Sequence, residues 1–212
     1  MSIILPKWIA HRGLSARAPE NTLEAFALAE EEGYLMFECD VQLRKDEVPV
    51  IVHDDITKFG AEETAEFPSL AVVLEWMLGN KIAMNLELKG KQVNLSERVI
   101  AVLRPYLTQL ENRILISSFE FSQLQKFKAL CPELAIGLLI GCQEFKRLGF
   151  LGVKKQFDIL GAVSLNIDLR LATKENLSEF LKICPKILVY TVSYKQSPAL
   201  LARGVTGVFT NG

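Results

Sequence analysis

In residues 7–40 the chain reads KWIAHRGLSARAPENTLEAFALAEEEGYLMFECD, with two apolar strand-like runs on either side of a helical segment. The runs cover 7–11 and 34–40. The segment at 22–33 is rich in alanine and leucine and begins at Thr22, a residue suited to cap a helix. This order of elements is typical of a parallel βαβ unit.

The same alternation continues to the end of the chain. Further strands are predicted at 82–88, 113–117, 134–140, 162–166, 186–192 and 206–210. Further helices are predicted at 69–78, 93–109, 120–130, 143–156, 173–183 and 196–203. A short run at 48–52 is predicted to pair with the second strand as a hairpin. Eight principal strands that alternate with helices predict an α/β protein with a closed (β/α)8 barrel, also called a TIM barrel.

A single catalytic domain, residues 1–212, is predicted because the length suits one barrel and no linker or low-complexity segment divides the chain. Residues 54–68 are the one long loop expected. The last strand ends near the C-terminus, so the last helix is predicted to be missing or truncated. The apolar sheet surface left there would need cover from another segment or from a partner subunit, which makes a homodimer one expectation.

Composition and charge exclude several classes of partner. The chain has 24 Lys and Arg against 25 Asp and Glu, a net charge of −1, so no general field attracts nucleic acid or an acidic membrane. No stretch approaches the ~18 apolar residues of a spanning helix, and the first seven residues are too short and broken for a secretory signal. The four cysteines show no CxxC pairing, as expected of free thiols in a reducing compartment. A cytoplasmic protein without stable membrane insertion is therefore predicted.

Three acidic residues end neighbouring predicted strands. Glu38 and Asp40 are spaced i, i+2, so both side chains face the same side of the second strand, and Glu87 closes the third. Strands lie ~4.8 Å apart, so the three carboxylates can converge, and a hard divalent cation would relieve their repulsion. All-oxygen ligation favours Mg²⁺ or Ca²⁺. The alternative is that Glu38 and Glu87 form ordinary ion pairs with Arg12 and Lys89 at the rim.

The chain has two histidines, and each follows an apolar run at a predicted strand end, where barrel enzymes carry their active sites. His11 and His53 suit a reaction that needs a base for the nucleophile and an acid for the leaving group. Arg12 offers a planar fork for phosphate oxygens, and Lys89 shares a strand face with Glu87. Cations beside a metal site indicate an anionic substrate.

A series of motifs runs in order along nearly the whole chain. They are HRG (11–13), APENT (18–22), ECDVQL (38–43), VIVHDD (50–55), NLELK (85–89), ISSF (116–119), ILVYTV (187–192) and GVTGVFT (204–210). This series resembles the glycerophosphodiester phosphodiesterase family, and its later part resembles the bacterial cytosolic members.

The resemblance implies a metal-dependent barrel enzyme that hydrolyses a small-molecule glycerophosphodiester to glycerol 3-phosphate and an alcohol. The family's catalytic histidines fall on His11 and His53, and its metal carboxylates fall on Glu38, Asp40 and Glu87. Its substrate-binding positions fall on Arg12, Lys89, Glu20, Asn21, Phe119 and Tyr190.

The chain also departs from the family pattern. Where many relatives carry an Arg-Thr-Thr-Gly-like segment and a small inserted subdomain, this chain has only 56–60 and a brief acidic stretch, so the insertion after the second strand is much shortened. The family's closing Thr-Asp is replaced by Thr210-Asn211. An open cleft would also suit lysophospholipase D-type activity, and a non-catalytic binder of small phosphorylated ligands is a further alternative. Whether water or the substrate's own hydroxyl attacks, and which histidine is the base, stay open.

Overall fold

The computed structural model describes residues 3–212 and contains nine strands within them. The strands are β1 (Trp8–Ala10), β2 (Met36–Leu43), β3 (Pro49–Ile51), β4 (Ala83–Leu88), β5 (Ile114–Ser118), β6 (Ala135–Ile140), β7 (Ser164–Asp168), β8 (Ile187–Tyr190) and β9 (Gly207–Thr210). The helices are α1 (Leu23–Glu31), α2 (Ala61–Glu66), α3 (Leu70–Gly79), α4 (Leu95–Leu103), α5 (Leu107–Leu110), α6 (Phe121–Leu130), α7 (Cys142–Leu160), α8 (Lys174–Ile183) and α9 (Ser197–Leu201).

Eight of these strands run parallel and close on themselves. The order is β1-β9-β8-β7-β6-β5-β4-β2, and β1 pairs with both β9 and β2. β3 pairs antiparallel with the end of β2. The predicted (β/α)8 barrel and its hairpin are therefore confirmed.

The interior of the barrel is apolar at its base and polar at its mouth. Ile9, Met36 and Leu115 belong to one buried apolar cluster. Because strand side chains alternate, the residue two positions later on each strand faces the same interior, and these residues are His11, Glu38 and Ser117. The polar side chains are thus collected at the carboxyl ends of the strands, above an apolar floor.

The segment predicted as a long loop, 54–68, contains short helical structure. A 3₁₀ turn covers Ile56–Lys58, and α2 follows it. The sequence of α2, AEETAE, has too few apolar residues to show a helical period, and its buried residue is Thr64. The predicted helix at 93–109 is divided at the Arg104–Tyr106 turn, which contains a proline.

The outer face of β1 and β9 is covered, although no helix follows β9 within residues 3–212. Ala10 and Val208 on that face are fully buried. Tyr194, from the segment after β8, packs on Trp8 with ring centroids 4.9 Å apart, and its hydroxyl contacts the hydroxyl of Tyr34. Another segment of the chain therefore covers part of this surface, and the homodimer stays a prediction.

The helices of residues 3–212 include none with both the length and the apolar character needed to cross a membrane.

Candidate active site

One cavity of about 200 Å³ lies at the carboxyl ends of the barrel strands. Its lining includes these predicted residues: His11, Arg12, Glu38, Asp40, His53, Glu87, Lys89, Phe119 and Tyr190. Glu20 and Asn21 do not line the cavity. Glu20 contacts Arg12, and Asn21 contacts Asp40. The fold therefore brings together side chains from both ends of the chain.

The three carboxylates are buried and close together. Glu38, Asp40 and Glu87 each offer an oxygen within 4.8 Å of the other two, and Asp40 is directly opposite Glu87 in the β2–β4 pairing. Burial, together with the neighbouring Asp40, raises the pKa of Glu87 to about 8, although Lys89 and Arg12 oppose the shift. Burial also raises the pKa of Glu38 well above its ordinary value, with Asp40 and Glu87 adding to the effect.

Two cations contact this cluster but do not balance it. The Lys89 Nζ donates to Asp40 Oδ1 at 3.0 Å and lies 3.8 Å from Glu87 Oε1. The Arg12 Nε lies 3.5 Å from Asp40 Oδ2. Of the ion pairs weighed as the alternative, the one between Lys89 and Glu87 is present at 3.8 Å, whereas the Arg12 guanidinium lies beside Asp40. With all three acids ionised, two cations would not balance them, and the raised pKa values of Glu38 and Glu87 reflect this shortage of positive charge. A divalent cation with oxygen ligands fits the donor set.

Asn21 holds Asp40 in place from outside the cavity. Its Nδ2 donates to Asp40 Oδ2 at 3.1 Å, and the Asp40 backbone N–H donates to its Oδ1 at 3.2 Å. The Asn21 backbone has φ 60°, a left-handed conformation that asparagine tolerates better than most residues. Both contacts join the loop before α1 to β2. The spacing of the two residues in the sequence does not predict such contacts.

The loop after β1 presents Arg12 to the same cluster. Its backbone N–H donates to Glu38 Oε2 at 2.9 Å, and its guanidinium Nη1 donates to Glu20 Oε2 at 2.8 Å. The next residue, Gly13, has φ 76°, and a Cβ there would lie 2.6 Å from the Ala25 side chain. The loop therefore requires glycine at this position, where it passes against Ala25 of α1.

Each histidine has one ring nitrogen bound to a side-chain oxygen. The His11 Nδ1 is 2.8 Å from Asn211 Oδ1, and its Nε2 is 3.9 Å from Glu38 Oε2. The His53 Nδ1 is 3.0 Å from Asp54 Oδ1. Burial lowers the pKa of His11, which favours the neutral ring, although the bond to Asn211 opposes the shift. The neutral ring is the form that can accept a proton.

Aromatic and polar side chains complete the cavity. Phe119 and Tyr190 meet edge to face, with centroids 5.8 Å apart, and the Tyr190 hydroxyl donates to Ile140 O at 3.0 Å. Asn85 also lines the cavity and donates to Ser117 Oγ at 3.0 Å. Asn85 was not among the predicted residues; its i, i+2 spacing from Glu87 is the signal that would have found it.

Comparisons with known proteins all point to the same family. Residues 11–59 match the family described as the glycerophosphoryl diester phosphodiesterase family. A glycerophosphodiester phosphodiesterase of Caldanaerobacter subterraneus subsp. tengcongensis is 34% identical over 163 residues, which cover 63% of this chain and 66% of that protein, just under two thirds of its length. A glycerophosphodiester phosphodiesterase of Bacillus altitudinis is 29% identical over 244 residues, covering 98% of this chain and 95% of the relative.

Solved structures agree with the fold. A phosphodiesterase of Oleispira antarctica, determined in complex with the product sn-glycerol-3-phosphate, superposes with a TM-score of 0.83 at 27% identity, covering 98% of this chain and 93% of that one. A glycerophosphodiester phosphodiesterase of Thermotoga maritima superposes with a TM-score of 0.73 at 24% identity, covering 98% and 95%, and supports the fold alone. The ordered motifs, the matched residues 11–59, the relatives and the fold together show that the chain resembles the glycerophosphoryl diester phosphodiesterase family.

Proposed function

We propose that this protein is a phosphoric diester hydrolase that converts small glycerophosphodiesters to glycerol 3-phosphate and an alcohol. The observation that carries the proposal is the single cavity shared by two histidines, three buried carboxylates and two cations. Its volume of about 200 Å³ suits a small molecule. The product complex of the Oleispira antarctica relative supports the same class of ligand. The catalytic unit is proposed to be residues 1–212, acting in the cytoplasm.

The proposed cofactor is a divalent ion, Mg²⁺ or Ca²⁺, held by Glu38, Asp40 and Glu87. When bound there, it would supply positive charge to the phosphoryl oxygens. Lys89 and Arg12 would bind the phosphate from the neighbouring wall, since both line the cavity. Their present contacts with Asp40 keep the two cations oriented toward the cluster.

The histidines are proposed to move the protons of the reaction. One accepts the proton of the attacking hydroxyl, from water or from the substrate's glycerol, as the new P–O bond forms. The other donates a proton to the departing alkoxide as the old P–O bond breaks. Phe119 and Tyr190 form part of the cavity wall, and Glu20 and Asn21 support Arg12 and Asp40.

The test is release of glycerol 3-phosphate from glycerophosphocholine with Mg²⁺. His11→Gln and His53→Gln should each reduce kcat by about 10²–10⁴-fold, the usual contribution of a proton-transfer group, while the fold is retained by circular dichroism. EDTA should abolish turnover, and Mg²⁺ or Ca²⁺ should restore it. Arg203→Gln, an exposed change far from the cavity, is the control. Near-normal turnover in both histidine variants would refute the acid–base assignment.

A second candidate substrate is a lysophospholipid, favoured by one observation. A largely apolar groove of about 640 Å³ lies beside the segment that follows His53, with Leu43, Ile56 and Phe59 in its wall. Such a groove could take an acyl chain. If it does, Phe59→Ser should reduce choline release from lysophosphatidylcholine and leave glycerophosphocholine hydrolysis unchanged, whereas Leu151→Ser on the exposed face of α7 should change neither. Equal effects of Phe59→Ser on both substrates would reject this candidate.

A further inference from the structure

A side chain at the far end of the chain binds the ring of His11. Asn211 Oδ1 lies 2.8 Å from His11 Nδ1, across 200 positions of sequence. Barrel closure makes this contact, because β9 pairs with β1 and sets Thr210 opposite Ala10. Main-chain bonds then hold the position: the His11 N–H donates to Thr210 O at 2.8 Å, and the Ala16 N–H donates to Asn211 O at 2.9 Å.

The chemistry of the contact restricts the tautomer of the ring. A neutral imidazole carries its hydrogen on one nitrogen only, and an amide oxygen can only accept. A hydrogen bond to Asn211 Oδ1 therefore requires the hydrogen on Nδ1. The Nε2 atom, 3.9 Å from Glu38 Oε2, is beyond hydrogen-bond distance, and no residue of 3–212 forms a hydrogen bond with it.

We propose that Asn211 is a positioning residue that holds His11 as the Nδ1–H tautomer, so that the Nε2 lone pair faces the cavity. This inference rests on the proposed function and gives His11 the task of accepting the nucleophile's proton. In that step the O–H bond of the nucleophile breaks and an N–H bond forms at Nε2, while the hydrogen on Nδ1 stays on the ring and keeps its hydrogen bond to Asn211 Oδ1. An amide orients the ring without adding a fourth negative charge beside three carboxylates.

Two variants of Asn211 distinguish this orientation of the amide from the flipped orientation. If the amide were turned round, its Nδ2–H would donate to Nδ1, and His11 would carry its hydrogen on Nε2. A carboxylate only accepts. If the proposal is right, Asn211→Asp should therefore keep the hydrogen of His11 on Nδ1. If the amide is turned round in the wild type, Asn211→Asp should move that hydrogen from Nε2 to Nδ1. Asn211→Ala removes the acceptor altogether.

The experiment is nitrogen NMR of the imidazole rings in the full chain without metal, which is tractable because the chain has two histidines. The signals are assigned with His53→Gln. Wild type and Asn211→Asp should show a protonated Nδ1 and an unprotonated Nε2 at His11, and Asn211→Ala should lose this preference. Asn112→Ala, an exposed asparagine before β5, is the control. An unprotonated Nδ1 in the wild type, or an unchanged tautomer in Asn211→Ala, would overturn the proposal.

Kinetics supply the second readout. Asn211→Ala should lower kcat by about 10–100-fold with little change in KM, as the loss of an orienting partner does elsewhere, and Asn211→Asp should retain more activity than Asn211→Ala. A changed tautomer with full kcat would refute the positioning role. Because the NMR result does not depend on turnover, a wild type that fails to hydrolyse glycerophosphodiesters would refute the proposed function and leave the tautomer assignment standing.

Discussion

Asp40 shows how much of the candidate site depends on single side chains. One of its oxygens accepts from Lys89, and the other accepts from Asn21 and lies near Arg12. Its backbone N–H is bound by Asn21 as well. A carboxylate held on both oxygens is oriented before any ion arrives, which reduces the entropy lost on binding.

The first prediction concerns Asn21. Asn21→Gly and Asn21→Ala both remove the amide contacts with Asp40, so both should weaken Mg²⁺ binding about 10–100-fold by calorimetric titration. Because position 21 has φ 60°, Asn21→Ala should also be less stable than Asn21→Gly by about 1–2 kcal/mol, the cost of a left-handed alanine. Asn112→Ala is the control. Wild-type Mg²⁺ affinity in Asn21→Gly would contradict the role given to this residue.

The second prediction concerns Glu87 and pH. Its folded pKa of about 8 lies above the ordinary value of 4.5. Between these values the folded, metal-free protein keeps a proton that the unfolded chain releases, so stability should fall as pH rises through that window. In EDTA the unfolding midpoint should be at least about 2–4 °C lower at pH 8.5 than at pH 5.5, the shift that ~1 kcal/mol causes at this size. Glu87→Gln should reduce the difference.

Added metal should change this pH dependence. Carboxylates bind a metal only when deprotonated, so Mg²⁺ should raise the unfolding midpoint more at pH 8.5 than at pH 5.5. Two results would show that the burial of Glu87 does not control the pH dependence of stability. One is an unfolding midpoint in EDTA that rises with pH across this range, and the other is an equal Mg²⁺ effect at both pH values.

At the scale of elements, the site depends on the seam where β9 meets β1. His11 directly follows β1 and Asn211 directly follows β9, so the register of this pair sets the distance between them. The chain before β1 also contacts β9, since the Val208 N–H donates to Lys7 O at 3.0 Å. Gly207 makes the approach possible, because a Cβ there would lie 2.1 Å from Pro6 O.

The third prediction tests this seam. Gly207→Ala should lower the free energy of unfolding by about 1–3 kcal/mol, because backbone must move to admit the methyl group. It should also lower kcat, because the displaced strand carries Asn211. Gly79→Ala, where a Cβ would meet nothing within 4 Å, should change stability by less than about 1 kcal/mol. Urea unfolding measures both, and equal stability of the two variants would contradict the argument.

The helical elements show where pattern reasoning succeeds. α3, α6 and α8 each lie within one residue of their predicted bounds, because their apolar residues recur at helical spacing over ten residues. α2 was not predicted, since its six residues, three of them acidic, have no apolar stripe. Helix α7 runs to Leu160, beyond its predicted end, with a break at Gly149 where φ is 58°.

At the scale of the whole molecule, the outer face between β1 and β9 is covered by Tyr194, contributed by the segment after β8. Its ring packs on Trp8, and its hydroxyl contacts Tyr34.

The fourth prediction follows from that cover. Tyr194→Ala should lower the free energy of unfolding by about 1–2 kcal/mol, through lost aromatic packing, and should leave kcat unchanged because Tyr194 is outside the cavity. Tyr194→Phe keeps the ring and should retain most of the stability. If Tyr194→Ala is as stable as the wild type in urea, the packing on Trp8 does not stabilise the barrel.

The amino-acid sequence alone determined the alternation of strands and helices, the closed barrel and the grouping of acids and histidines at strand ends. It could do so because these features depend on local periodicity: side chains at i and i+2 share a strand face wherever the strand lies. The contacts of Asn21 with Asp40, of Glu20 with Arg12 and of Asn211 with His11 were decided only by the tertiary structure. They depend on left-handed turns and on the register of the closing strands, and that register is set only when the whole barrel packs.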